Sequence, residues 1–361
     1  MRRSLPVSLL LALLLLVSLP ALPVAADTNY TVQPGDTLWS IASEHDVTVE
    51  TVVAANDITN PDYIFSGQVL TIPTTGGSAP ASAPSAPPAA QPAPATPDPR
   101  NVSAGPGSIL AKRMVVSYYG NPYSGLMGVL GQLSKDELVA ALKRRAAQYE
   151  AASGRPVQPA IHFIATVAQA SAGSDGMYRA RMPLEVAQEY AQLAANNDML
   201  FILDIQFGRS TAQAEIPPWL PLLKEPHVHL AIDPEFDMWG SEQPGADLGH
   251  MMAYEVNYAS DYLSNLVAQY NLPNKMLIVH QFTASMLPDK QNIQTNPNVD
   301  LVIDMDGFGY SSLKIQHYDW YVRDQAPQFA GIKLFLEHDP DLMTAADVMG
   351  LTPPPDLVIY Q

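Results

Sequence analysis

Residues His229–Phe236 read His-Leu-Ala-Ile-Asp-Pro-Glu-Phe, a short apolar run that stops at two carboxylates. Side chains alternate along a strand, so Asp233 and Glu235 should project to one side while Ile232 and Pro234 project to the other. Pro234 cannot donate to a ladder, which suits the end of a strand rather than its middle. Such a strand fits the mouth of a barrel, where one carboxylic acid donates a proton to a leaving oxygen and a neighbour tunes it. The plainer alternative is that Asp233 caps the following loop and Glu235 is solvated.

Working outward, seven more apolar runs of strand length appear between residues 108 and 361. The full set is Met114–Tyr119, Ala160–Val167, Leu200–Ile205, Val228–Asp233, Met276–His280, Leu301–Met305, Gly331–Phe335 and Asp356–Tyr360. Helix signals fall between them. Ser134 and Glu137 make a capping box before Leu138–Ala151, and Pro183 takes a first-turn position before Leu184–Ala195. His250–Gln269, Ser312–Asp324 and Thr344–Met349 continue the pattern, whereas Asp237–Gly249 is an irregular crossover with Gly-rich turns. Continuously apolar strands alternating with helices predict a parallel sheet covered on its faces, and eight such units predict closure into a (β/α)8 TIM-type barrel.

The carboxyl ends of barrel strands build the site in this architecture. Asp204-Ile205-Gln206, Asp233-Pro234-Glu235 and Asp304-Met305-Asp306 share one form, with two polar residues expected on the same side of each strand. Tyr119 ends the first strand, His280-Gln281 the fifth, and Lys333 lies on the seventh. Carboxylates buried together must be paired, protonated or bound to metal, and their repulsion raises at least one pKa. Glu235 is therefore the expected general acid, with Asp233 orienting it and Asp204, Asp304 or Asp306 as the second carboxylate. Tyr119, Gln206, His280, Gln281 and Lys333 are the expected substrate-binding residues. Tyr118, Phe282 and Trp239 are further candidates for stacking on sugars. A lone His beside Gln is no metal signature, so no metal or cofactor is expected.

Composition narrows the partners. The 361 residues include no cysteine, which removes disulfides, thiol nucleophiles and Cys-based metal sites. A formal charge of -17 argues against nucleic acid and anionic lipid while leaving a neutral sugar polymer compatible. Arg2 and Arg3, the apolar run Leu9–Leu19 and Val24-Ala25-Ala26 have the order of a signal peptide over residues 1–26. Its removal takes away two arginines and no acid, leaving a charge of about -19. No later segment is long and apolar enough to span a bilayer, so no integral membrane anchor is expected after cleavage, and a secreted, cell-wall-associated protein is. Residues 74–107 are rich in Pro, Ala and Ser without apolar period and predict an extended, disordered linker.

Residues 27–73 predict a separate βααβ module. Tyr30-Thr31-Val32 is a strand, Thr37 caps a helix over Leu38–Ala42, Thr48 caps a second over Val49–Ala55, Asn56 ends it, and Gln68–Pro73 is a closing strand. Tyr30-Thr31-Val32-Gln33-Pro34-Gly35-Asp36-Thr37-Leu38-Trp39-Ser40-Ile41-Ala42, Asn56 and Gly67–Pro73 resemble a LysM domain without a gap. That resemblance implies binding of N-acetylglucosamine-containing glycan, peptidoglycan or chitin, in a groove formed by Gly35, Asp36, Thr37 and Leu38 on one side and Pro61, Asp62, Tyr63 and Ile64 on the other. A single copy implies weak binding that keeps an attached domain near its polymer.

In the barrel region, Leu230–Glu235 resembles the Asp-x-Glu strand of GH25-type lysozymes, although Ser117-Tyr118-Tyr119 stands where those enzymes carry an Asp. Asp304-Met305-Asp306 resembles part of the Asp-x-Asp-x-Glu run of GH18 chitinases, with Phe308 in place of the terminal Glu. Three expectations stay open: a glycoside hydrolase acting through Glu235, a non-catalytic peptidoglycan-binding wall protein, and a metal-dependent hydrolase whose acidic cluster holds Mg²⁺ or Ca²⁺.

Overall fold

The computed structural model describes residues 28–32, 38, 41–42, 45, 47, 49–56, 58, 68–73, 105–323 and 329–361. The predicted signal segment and the linker up to residue 104 lie outside them. The chain divides into two compact units, Met1–Pro87 and Pro88–Gln361.

In the first unit, strands β1 (Thr28–Thr31) and β2 (Val69–Ile72) pair antiparallel, with Tyr30 opposite Leu70, and helix α1 covers Val49–Ala55. Leu38, Ile41 and Ala42 are helical, as the sequence predicts. They join Val32, Val52, Leu70 and Ile72 in a small apolar core. Asn56 ends α1 for a physical reason. Its amide donates to Val52 O (2.7 Å) and Thr71 O (2.8 Å) and its oxygen accepts from Thr71 N–H (2.7 Å), which ties the helix end to β2.

The second unit is a closed barrel of eight parallel strands. They are β3 (Met114–Gly120), β4 (Val157–Ala168), β6 (Leu200–Gly208), β7 (Val228–Asp237), β8 (Lys275–Gln281), β9 (Val299–Met305), β10 (Phe329–Leu334) and β11 (Leu357–Tyr360). Each corresponds to one of the runs read from the sequence. β11 pairs with β3, Leu357 opposite Val115, and this closes the ring. The short β5 (Arg179–Arg181) adds antiparallel to the end of β4. It was not foreseen, because three residues without an apolar period carry no strand signal. Buried Glu215 joins Arg179 (2.7 Å) and Arg181 (2.7 Å) and so holds β5 in place.

Alternation divides the barrel's apolar residues into two cores. Residues such as Val116, Ile161, Leu203, Ile232 and Val279 face the surrounding helices. Val115, Ala160, Ile164, Ile202, Ala231, Ile278, Val302 and Ile359 fill the lumen. Among the helices, α2 (Lys135–Ser153) starts with the predicted Ser134–Glu137 capping box and stops at Gly154, which has φ 66°. α3 spans Leu184–Asn196, α4 Ala212–Glu215, α5 Leu220–Leu223, α6 Ala253–Tyr270, α7 Ser311–Tyr318 and α8 Ala345–Met349. No described helix is long and apolar enough to cross a membrane.

One irregularity matters for the site. Gln206 pairs with Asp233 and Gly208 with Asp237, so between these points β7 carries two more residues than β6. Pro234 to Phe236 form a bulge there, a device that re-aims side chains at the rim of a barrel. Strict alternation therefore stops at Asp233, and the direction of Glu235 is set by the bulge.

Candidate active site

The lumen face of successive strands supplies one continuous set of polar groups. Asp204 on β6 lies between two imidazoles, with Oδ2 3.1 Å from His280 Nε2 and 3.3 Å from His162 Nε2. His280 Nδ1 in turn lies 2.9 Å from Asp304 Oδ2 and 3.3 Å from Asp306 Oδ2. Lys333 Nζ is 3.1 Å from both Asp306 oxygens and 3.8 Å from the centre of the Tyr119 ring. Tyr119 sets its edge against His162, with ring centres 5.0 Å apart. Gln206 accepts from Ala168 N–H (3.0 Å) and directs its amide toward the Tyr119 hydroxyl at 3.5 Å.

Both nitrogens of His280 face carboxylates, which requires both to carry hydrogen. Burial opposes that charge, but Asp204 and Asp306 outweigh it and hold the imidazole pKa well above its ordinary value. Burial likewise pushes Asp204 up, and His280 and His162 outweigh it, so Asp204 stays ionised with a lowered pKa. His162 goes the other way, because burial exceeds the attraction of Asp204 and favours the neutral ring. Lys333 keeps its proton, since Asp306 and Asp233 overcome its burial. Burial raises Asp306 despite Lys333 and His280.

Glu235 is only partly buried, whereas Asp204, Asp304 and His280 are wholly enclosed. Burial, followed by the charge of Asp306, pushes the Glu235 carboxyl up to about 7. Asp233, deeper, is raised well above the carboxylate range, chiefly by burial. Its Oδ1 accepts from Glu235 N–H at 3.2 Å, so Asp233 fixes the backbone of the residue beyond it.

The structure thus brings together Asp204, Asp233, Glu235, Asp304, Asp306, Tyr119, Gln206, His280 and Lys333. It separates Gln281, whose side chain faces the other way, accepts from Lys290 Nζ (2.8 Å) and donates to Thr283 O (3.1 Å). Adjacent residues on a strand cannot both enter the lumen. Tyr118 also faces outward, against Tyr360. Sequence reasoning missed His162, whose signal is a single histidine inside an apolar strand in register with Ile164. It missed Gly331 too, where a Cβ would stand 2.9 Å from Asp304 Oδ1 and 3.0 Å from Asp304 Cα. The missing side chain is what makes room for Asp304. Leu38 of the predicted LysM groove is buried in that module's core, and Gly35, Asp36, Thr37, Pro61, Asp62, Tyr63 and Ile64 lie outside the described residues.

Two groups, His162–Asp204–His280 and His280–Asp304–Asp306, have donor atoms close enough to hold a cation. They share His280, whose two nitrogens are already engaged by carboxylates. The arrangement differs from the all-oxygen cage that Mg²⁺ or Ca²⁺ prefers.

The model of the LysM domain family matches residues 30–73. Residues 30–73 are a LysM domain. The LysM domain also accounts for two curated relatives. The secreted LysM effector ECP6 of Passalora fulva is 41% identical over 51 residues, 14% of this chain and 22% of that protein. N-acetylmuramoyl-L-alanine amidase XlyB of Bacillus subtilis (strain 168) is 40% identical over 52 residues, 14% of this chain and 16% of that protein. The chain therefore spans less than a quarter of either relative. Among solved structures, the spore cortex-lytic enzyme SleL of Bacillus cereus aligns with TM-score 0.32 and 16% identity over 85% of this chain and 62% of that one. A hyperthermophilic endo-β-1,4-glucanase in complex with substrate aligns with TM-score 0.33 and 10% identity over 67% of this chain and 87% of that one.

Proposed function

We propose that the protein is a secreted, cell-wall-associated glycoside hydrolase, held to N-acetylglucosamine-containing glycan by its LysM domain and cutting that glycan in the barrel. The intended organisation is a signal peptide over 1–26, the LysM module over 27–73, a linker over 74–107 and the barrel over 108–361. The feature that carries the reading is Glu235, a partly buried carboxyl at the rim of the carboxylate cluster, whose pKa burial and the charge of Asp306 push up to about 7.

Glu235 would donate its proton to the glycosidic oxygen as the C–O bond breaks and the bonding electron pair leaves with that oxygen. Asp306 is the outermost carboxyl of the buried set, and its ion pair with Lys333 fixes its position. It would face the positive charge that develops at the anomeric carbon, or activate the water that completes hydrolysis. Asp204 and Asp304 lie too deep to touch substrate. Their role is to hold His280, which holds Asp306.

A second reading, a barrel that binds glycan without cutting it, draws on the same Lys333–Asp306 pair, since a carboxylate matched to a lysine can be purely structural. Reducing-end release from purified peptidoglycan and chitin oligomers separates the two. The hydrolase reading expects turnover in the parent and loss in Asp306→Asn. The binding reading expects none in either. Residues 27–76 alone should sediment with insoluble peptidoglycan or chitin, and their complete recovery in the supernatant would remove the LysM contribution.

A further inference from the structure

Beyond Glu235 the chain builds a second feature that takes no part in the proton transfer. β7 ends at Asp237, and the following crossover folds back on the strand that carries Glu235. Gly249 N–H donates to Glu235 O (2.7 Å), His250 N–H to Asp237 O (3.1 Å) and Met238 N–H to Gly208 O (2.8 Å). Gly249 permits this closeness, because a Cβ there would meet Asp237 O at 2.6 Å and Glu235 O at 2.7 Å. Arg209 pins the crossover from the β6 side through Glu242 O (2.8 Å) and Ser241 O (2.7 Å).

This clamped crossover displays Trp239. The indole stacks on the imidazole of His250, ring centres 5.2 Å apart and 24° from parallel, yet it remains 39% exposed. One face is covered, and Trp239 follows Glu235 by four positions in the chain. Trp239 N–H is held by Glu242 Oε2 at 2.8 Å. A flat ring backed by another, rigidly placed and half open to solvent, suits the apolar face of a sugar ring, with its C–H groups against the π surface.

Beneath Trp239 lie two carboxyls that face each other, Asp237 at 3% exposure and Glu255 on α6 at 4%. Trp239 and Glu255 both approach the Asp237 side chain, while its Oδ2 is buried with no hydrogen-bond partner. Two buried acids side by side repel each other when both are ionised, so the pair favours a state that holds one proton. The groups that face them are Glu242 from the crossover, Tyr254 from α6 and Asp289 from the loop after β8, so every acidic neighbour strengthens the need for that proton. Asp237 is accordingly pushed up to about 8, first by burial and then by Glu255.

We infer that Trp239, backed by His250, is a sugar-binding subsite next to Glu235 and that Asp237 is its positioning residue, acting through a proton shared with Glu255. The inference rests on the glycan reading for the chemistry of its ligand, an N-acetylhexosamine unit of the chain being cut. Above the pH at which the shared proton leaves, two charges oppose each other under Trp239 and the ring loses its fixed place.

The test uses the full chain and chitotetraose, with tryptophan fluorescence and initial rates recorded from pH 6 to 9.5. In Trp239→Ala, KM should rise about 3- to 10-fold, the range of one aromatic stacking contact, and Trp239→Phe should recover most of it. The fluorescence change on adding the tetramer should shrink in Trp239→Phe by the share belonging to Trp239. Glu255→Gln keeps a hydrogen bond without needing the proton, so KM should lose the rise that the parent shows above about pH 8. An unchanged KM and unchanged fluorescence response in the Trp239 variants would overturn the subsite. A Glu255→Gln profile that still climbs like the parent's would overturn the role of the shared proton. A parent that binds through Trp239 but turns over no glycan leaves the subsite standing and removes the hydrolase reading instead.

Discussion

Asp300 and Asp304 lie four residues apart on β9, face the same lumen and are equally buried. Asp300, near the amino end, accepts from the Ser108 hydroxyl (2.9 Å), Ile109 N–H (2.9 Å), Leu110 N–H (3.2 Å) and the Asn274 amide (3.0 Å). Asp304, near the carboxyl end, accepts from His280 Nδ1 at 2.9 Å through one oxygen, and the other has no partner. Asp204 repeats the pattern, with Oδ1 unpartnered. Buried charge at the amino end is neutralised by fixed dipoles that belong to the fold, and it seals the barrel. Buried charge at the carboxyl end is balanced by other titratable groups and left partly unsatisfied. A carboxylate satisfied by backbone amides can do nothing further, whereas one balanced by a proton on a neighbour can exchange it.

The sharpest way to break this contrast is Glu235→Gln. It keeps the shape and removes the transferable proton, so glycan turnover should fall roughly 10²- to 10⁴-fold, while the melting temperature hardly moves at a pH low enough to keep Glu235 protonated. Undiminished turnover would take the carboxyl end out of the chemistry. Asp300→Ala should do the reverse. It strands two backbone N–H groups, a hydroxyl and an amide, and should cost about 2–4 kcal/mol in urea unfolding of the barrel, with turnover per folded molecule unchanged.

Gly331→Ala probes how tightly the carboxyl end is set. The new methyl would press on Asp304, and through His280 the shift reaches Asp306. Turnover should drop roughly 10- to 100-fold, with a smaller loss of stability than in Asp300→Ala. The most graded effect is in pH. A general acid held up to about 7 should lose activity tenfold per pH unit above that value, a limb absent from Glu235→Gln. The linkage has a definite sign. Because the folded pKa of Glu235 is raised, its protonation favours folding fully below the ordinary carboxylate value of about 4.3, and that contribution is lost as the pH climbs through about 7. Glu235→Gln should flatten this part of the stability curve. A parent whose rate is constant between pH 7 and 9 would show that Glu235 donates no proton in the slow step.

The amino-acid sequence by itself determined the eight barrel strands and their order, because a strand buried on both faces must be apolar throughout and each run is bounded by polar or turn residues. It determined the LysM domain, whose motif is contiguous. It also placed Asp204, Asp233, Glu235, Asp304 and Asp306 at one end of the barrel, since strand ends are local. Tertiary structure alone decided what those residues do to one another. The bulge at Pro234 sets Glu235 apart from Asp233, and it exists only because β6 and β7 pair in that register. His162 meets Asp204 across β4 and β6, His280 bridges β6 and β9, and Gly331 opens the space that Asp304 fills. These contacts join residues 24 to 76 positions apart in the chain, a separation at which local pattern carries no information. The proton on Glu235 has the same origin, for it depends on how much water the closed barrel excludes and on which charges the ring brings beside it.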